Sequence, residues 1–137
     1  MLQVSDLTKY FKNQKIFSGF DLIVDKGRFH VLVGPSGCGK STLFDGLTGV
    51  IHLDGGRLSW NHEPLSNLSH HAAYMQQKDM LLPWFSLLDN ALLPAKTRGK
   101  DIKAAENQAC ILFKRLGLNG YESHMPNQVS GGMRQRC

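Results

Sequence analysis

The run Phe29-His30-Val31-Leu32-Val33-Gly34-Pro35-Ser36-Gly37-Cys38-Gly39-Lys40-Ser41-Thr42 changes character twice. Its first five residues are apolar enough for a strand buried on both faces. The glycines from Gly34 to Gly39 end that strand. From Lys40 to about Thr48, Leu43, Phe44 and Leu47 recur on one helical face, with Gly49 as a stop. The middle fits G-x-x-x-x-G-K-[ST] in full, and average residue usage would produce such a match at roughly a few in 10⁵ positions. Its chemistry is that of a polyphosphate cradle. Glycine lets the backbone curl until successive N–H groups point at one anion. The helix start adds free N–H groups and the positive end of a dipole. Lys40 can bridge β- and γ-phosphates, the Ser41 hydroxyl suits Mg²⁺, and Thr42 can donate to the α-phosphate. Cys38, at the loop tip, contributes chiefly its backbone.

Upstream, Leu2–Val4 and Phe20–Val24 read as short strands. Downstream, Asp54-Gly55-Gly56 signals a turn before a strand at Arg57–Trp60, and Ala72–Met75 reads as another strand. An irregular stretch runs to Pro83. Then Ile102, Ala105, Ala109, Leu112, Phe113 and Leu116 recur at helical intervals, with Asp101 as N-cap and Gly117 past the end. The chain thus divides near residue 80. Residues 1–80 form a strand-rich nucleotide-binding core, and 81–137 a mostly helical part.

The 137 residues carry 16 Lys and Arg against 11 Asp and Glu, a net +5. At 42% hydrophobic and 20% charged, the composition is globular, neither collagenous, coiled nor disordered. The basic residues are scattered, so no nucleic-acid partner is expected. No apolar run nears the ~18 residues that span a membrane. Met1–Lys15 is polar where a signal peptide needs apolar residues, so a cytoplasmic location is expected. Cys38, Cys110 and Cys137 lack metal or disulfide spacing.

Near the end stands Val129-Ser130-Gly131-Gly132-Met133-Arg134-Gln135-Arg136, an N-cap followed by two open backbone N–H groups. Alone it is a capped helix. Together with Gly34–Thr42 and with Gln76-Gln77-Lys78-Asp79-Met80-Leu81-Leu82-Pro83-Trp84, it makes the chain resemble the ATP-binding subunits of ABC transporters. That family's phosphate loop, GPSGCGKST, is present letter for letter, its LSGGQ signature appears as VSGGM, and its glutamine loop often ends in Leu-Leu-Pro-Trp. The resemblance implies an α/β P-loop NTPase core with an N-terminal antiparallel part and a helical subdomain.

It also implies roles. Gly34, Pro35, Ser36, Gly37, Cys38, Gly39, Lys40, Ser41 and Thr42 would bind ATP, with Ser41 and Gln77 on Mg²⁺. Gln77, or Gln76 as the alternative, would sense the γ-phosphate and the attacking nucleophile. Phe11, or Tyr10, would stack on adenine, an interaction worth ~1–3 kcal/mol per base. Ser130, Gly131 and Gly132 would contact the nucleotide of a second copy in a head-to-tail dimer. Pro83 and Trp84 would touch transmembrane permease subunits at the inner face of the membrane, served by a solute-binding protein. Met133 and the Leu-Leu-Pro-Trp run resemble the importers for nitrate, sulfonates, taurine and thiamine-pyrimidine precursors.

The family's aspartate–glutamate strand and histidine loop have no counterpart here. Glu63, Glu106 and Glu122 lie in the wrong contexts, and His70, His71 and His124 precede the signature. The expectation is therefore a fragment missing the C-terminal part. Loss of a general base costs ~10²–10⁴-fold in rate, so an inactive nucleotide-binding fragment is the main alternative. A small kinase or GTPase is another. It is disfavoured because no Asn-Lys-x-Asp guanine reader occurs and the loop lies far from the N-terminus.

Overall fold

The computed structural model describes residues 1–137, which form two compact units, Met1–Met75 and Gln76–Cys137. In the first, β1 (Leu2–Phe11), β2 (Gln14–Val24), β3 (Gly55–Trp60) and β4 (Glu63–Leu65) make one antiparallel sheet in the order β2-β1-β3-β4. Helix α1 (Lys40–Leu47) contributes Leu43 and Leu47 to the core formed by Leu2, Val4, Leu7 and Leu58. Each such buried side chain is worth about 1.5–3 kcal/mol.

The inward face of β1 shifts from even positions, Leu2 and Val4, to odd ones, Leu7 and Lys9. A bulge at Asp6, with φ of 53°, absorbs the shift. Gly56 faces it, with φ of 98° and only 2.6 Å from a would-be Cβ to the Asp6 carbonyl oxygen, so no larger residue fits. The strands β1 and β2 are far longer than the sequence suggested. Strand β4 was missed because its turn, Asn61-His62, takes positive φ at both residues without a glycine.

Two expected strands are absent. Phe29–Val33 runs irregularly, with Phe29 92%, Val31 69% and Val33 86% exposed, though Leu32 packs on the core. Ala72–Met75 is likewise not a strand. An extended segment becomes a strand only through a ladder partner, and β1–β4 pair solely with one another. Phe44 is also half-exposed rather than buried with Leu43 and Leu47.

The second unit holds α2 (Leu87–Thr97), α3 (Ile102–Arg115), a 3₁₀ turn (Pro126–Gln128) and α4 (Gly131–Arg136). Asp101 caps α3 by accepting from the N–H groups of Lys103 and Ala104, at 2.9 and 3.2 Å. Gly117, with φ of 68°, turns the chain out, and Leu118 N–H returns to the Phe113 carbonyl at 2.8 Å. Of the apolar stripe on α3, only Ala109 and Phe113 are buried. Leu87, Phe113, Leu118 and Val129 form this unit's core. Helix α2 was not delimited in the sequence, because Pro94 interrupts its pattern. Ser86 caps it, and its buried Asn90 holds the carbonyls of Leu82, Phe85 and Ser86.

Candidate nucleotide site

The phosphate loop lies in the first unit. Gly37 and Gly39 adopt φ of 81° and 95°, and Gly39 opens α1. A Cβ on Gly39 would sit 2.8 Å from Ile16 Cγ2, so the loop abuts β2 directly. The first bond of the helix runs from Leu43 N–H to the Gly39 carbonyl at 2.8 Å. The N–H groups of Lys40, Ser41 and Thr42 donate to nothing in the protein, as expected of a first turn without a side-chain cap. The Lys40 ammonium donates to the carbonyls of Gly34 and Pro35, both at 2.7 Å, and so lies folded back along the loop. Three free donors beside one ammonium form an anion cradle.

These residues fit a triphosphate with its metal. No group of three or more His, Cys, Asp or Glu side chains gathers in the chain. Mg²⁺ characteristically takes few protein ligands and completes its shell with substrate phosphates and water. The exposed Ser41 hydroxyl is a suitable oxygen donor.

Phe11 ends β1, opposite Gln14, and is 49% exposed. The Lys9 ammonium lies 5.2 Å from its ring centroid. Lys9 itself is buried and pairs with Asp54 at 3.1 Å, while Asp54 accepts the Tyr10 N–H at 2.7 Å. That N–H, and then Lys9, hold the Asp54 carboxyl below its ordinary range. In the sequence Lys9 is one of the scattered basic residues, with nothing to mark it as buried. Only the bulge at Asp6 turns it inward, and nothing in the sequence marks that bulge. Tyr74 donates to Asp45 of α1 at 3.0 Å and stacks on Phe44, tying the segment before Gln76 to α1. Burial, then Asp45, pushes the Tyr74 hydroxyl above its ordinary range.

In the second unit, Gln77 is exposed and Gln76 half-buried. Ser130 caps α4, its Oγ accepting the Met133 N–H at 3.3 Å. Gly131 and Gly132 are exposed, and their N–H groups donate to nothing in the protein. Pro83 and Trp84 are exposed, on a loop held by Asn90. The structure thus brings the glutamine loop and the signature turn into one unit, whereas the sequence division at residue 80 separated them.

A glycine turn opening a helix on an α/β core, followed by a helical unit that carries a Ser-Gly-Gly helix start, is the arrangement of an ATP-binding cassette. Residues 17–137 match the family described as ABC transporter, and the chain belongs to it. It is 34% identical over 145 residues to the lipoprotein-releasing system ATP-binding protein LolD of Bacteroides fragilis, covering 99% of this chain and 67% of that protein. It is 36% identical over 128 residues to the formylaminopyrimidine import ATP-binding protein ThiZ of Halalkalibacterium halodurans, covering 93% and 49%. Among solved structures, a dimeric post-hydrolysis ATP-binding cassette bound to ADP and Pi superposes with a TM-score of 0.81 at 24% identity, over 99% of this chain and 66% of that one, which establishes the fold. The chain spans about half to two thirds of the length of these relatives. No helix is long and apolar enough to cross a membrane.

Proposed function

We propose that the chain is the nucleotide-binding part of an energy-coupling ATPase subunit of an ABC importer for a small organic or inorganic solute. The observation that carries the proposal is the Gly34–Thr42 loop, with its three unpartnered N–H groups at the start of α1 and the Lys40 ammonium beside them. On this proposal the ammonium exchanges the Gly34 and Pro35 carbonyls for β- and γ-phosphate oxygens. Ser41 offers its hydroxyl to Mg²⁺. Phe11 covers adenine. On the family's pattern, Gln77 senses the γ-phosphate and Mg²⁺, and Ser130, Gly131 and Gly132 serve the nucleotide of a second copy.

Permease subunits are the proposed partners of the Pro83–Trp84 loop, and would hold the protein at the cytoplasmic face of the membrane. A solute-binding protein would deliver the cargo. The likeness to ThiZ, named for import, and the Leu-Leu-Pro-Trp run favour the importer. The likeness to LolD, named for lipoprotein release, favours a second reading in which the complex extracts cargo from the membrane. Transport assays on the complete complex, with solute uptake against lipoprotein release, separate the two.

Calorimetry tests the nucleotide site. Lys40→Ala removes a charge-assisted contact of ~1.5–3 kcal/mol and should weaken ATP binding about ten- to a hundredfold. Unchanged affinity would refute the assignment.

A further inference from the structure

The signature helix α4 (Gly131–Arg136) packs Met133 on the core of its unit, and Arg134 ties it to distant sequence. The Arg134 Nε donates to Asp79 Oδ2 at 2.9 Å, across 55 positions of sequence. Its Nη1 donates to the carbonyls of Val129 at 3.0 Å and Pro126 at 3.4 Å. The neighbouring Gln135 Nε2 reaches the Gln77 carbonyl at 3.3 Å. One guanidinium therefore holds the turn that presents Ser130 and, at the same time, the loop that presents Gln77.

The pair is not a loose surface contact. The side chains of Arg134 and Asp79 are 32% and 27% exposed. The planar guanidinium directs its donors along fixed, diverging lines, so it can grip a carboxylate on one side and carbonyls on another. A lysine ammonium keeps the charge but is a single point at the end of a flexible stem. It cannot hold both sides together.

We propose that Arg134 is a positioning residue that makes the glutamine loop and the signature turn move as one body. Displacement of Gln77 then carries Ser130, Gly131 and Gly132 with it. The proposal rests on the nucleotide-binding function above for its purpose, but its geometry lies wholly within Gln76–Cys137.

Amide hydrogen exchange on the 137-residue chain tests it. The Met133 and Arg134 N–H groups report on the turn, since both bond to Ser130. Without nucleotide, Asp79→Asn should speed their exchange about tenfold while α3 amides stay unchanged. Arg134→Lys should do the same or more. The double variant should match Arg134→Lys rather than multiply the two effects, because both changes break one link. Indifference to Asp79→Asn, or multiplicative effects, would overturn the proposal. Asp79→Asn is close to isosteric, so it remains informative if Arg134→Lys unfolds the unit.

A second arm adds ATP, with affinity measured in parallel by calorimetry. ATP should alter Met133 and Arg134 exchange in the wild-type chain. Arg134→Lys should abolish that response at unchanged affinity, which a purely stabilising contact would not do. A response that is absent from the ATP-bound wild type, or that persists in Arg134→Lys, counts against the proposal. Failure of ATP to bind at all sinks the nucleotide function and leaves the nucleotide-free cycle to decide the coupling.

Discussion

The chain contains two glycine turns that each open a helix and leave backbone N–H groups free, yet they are built in opposite ways. The Gly34–Gly39 loop is shaped by its own backbone: two glycines at positive φ, a close approach to β2 and a lysine folded along it. The Ser130–Gly132 turn has ordinary φ at its Ser130 cap, and a Cβ on Gly131 would meet only Arg134 Nη2 at 3.7 Å. It owes its form to a side-chain cap and to contacts from distant sequence. A turn made from left-handed glycines tolerates no side chain at those glycines. A turn made from side-chain contacts tolerates change in its glycines but not in its supports.

The largest expected effect breaks the first turn. Gly39→Ala meets both a left-handed backbone and Ile16 Cγ2 at 2.8 Å. It should cost about 1–3 kcal/mol of stability and lower ATP affinity at least as much as Lys40→Ala. Gly131→Ala, by contrast, enters the first turn of α4 without strain. Thermal melts should show it neutral, within ~0.5 kcal/mol, with ATP affinity of the same chain untouched. Equal damage from the two substitutions would erase the distinction.

A smaller effect sharpens the nucleotide assignment at the first turn. Phe11→Ala should lose about 1–3 kcal/mol of ATP binding and leave inorganic triphosphate binding nearly alone. Tyr10→Ala should do little, since Tyr10 serves Asp54 through its backbone N–H, which the substitution keeps. Equal loss for both ligands would make Phe11 a packing residue. Loss confined to Tyr10→Ala would transfer the role to its neighbour.

Sequence alone revealed the glycine turn at Gly34–Gly39, the start of α1, the cap and end of α3 and the Ser130 cap. Each is encoded within a few residues: a glycine at a required positive φ, or a cap three residues from its partner. What it missed is non-local. Phe29–Val33 has strand composition but no strand beside it. Lys9 is buried only because of a bulge at Asp6. Arg134 shows in sequence as one of several basic residues, and its link to Asp79 needs the fold to close a loop of 55 positions. Locally encoded turns and caps were thus legible in the sequence, whereas the long-range contacts that position them were not.

The caps extend the contrast between local and distant support. Asp101 bonds two N–H groups of a helix of fourteen residues, and Asp101→Ala should cost about 1 kcal/mol in thermal melts. Ser130 bonds one N–H group at 3.3 Å in a helix that Arg134 also holds. Ser130→Ala should cost about half as much, because the guanidinium still fixes the turn. A larger loss at Ser130 than at Asp101 would mean that the cap, not Arg134, determines the shape of the signature turn.

The smallest effect separates the two units by acid. Asp54 in the first unit and Asp89 in the second both lie below the ordinary carboxylate value of 3.8. Asp54 is held there by the Tyr10 N–H and then Lys9, and Asp89 by Lys96 and then the Ser86 hydroxyl. For a lowered carboxyl, the stabilising contribution is complete above the unfolded value and disappears as pH falls through the lower folded value. Stability should therefore be flat in these two groups above about pH 4.5 and decline below about pH 3.8. The partners differ in exposure. The Lys9 side chain is 9% exposed, whereas Lys96 and Asp89 are 42% and 47% exposed. An exposed pair contributes about 0.2–1 kcal/mol and is screened by salt. The backbone N–H bond to Asp54 is not a mobile ion pair, so salt should spare it. Acid titrations followed by amide exchange should thus show the Asp89 share shrinking in 0.5 M salt, a condition at which the Debye length is roughly 4 Å. The Asp54 share should persist, and Asp54→Asn should remove it at either salt concentration. Equal salt sensitivity at the two sites would mean that Lys9, rather than the Tyr10 N–H, dominates at Asp54.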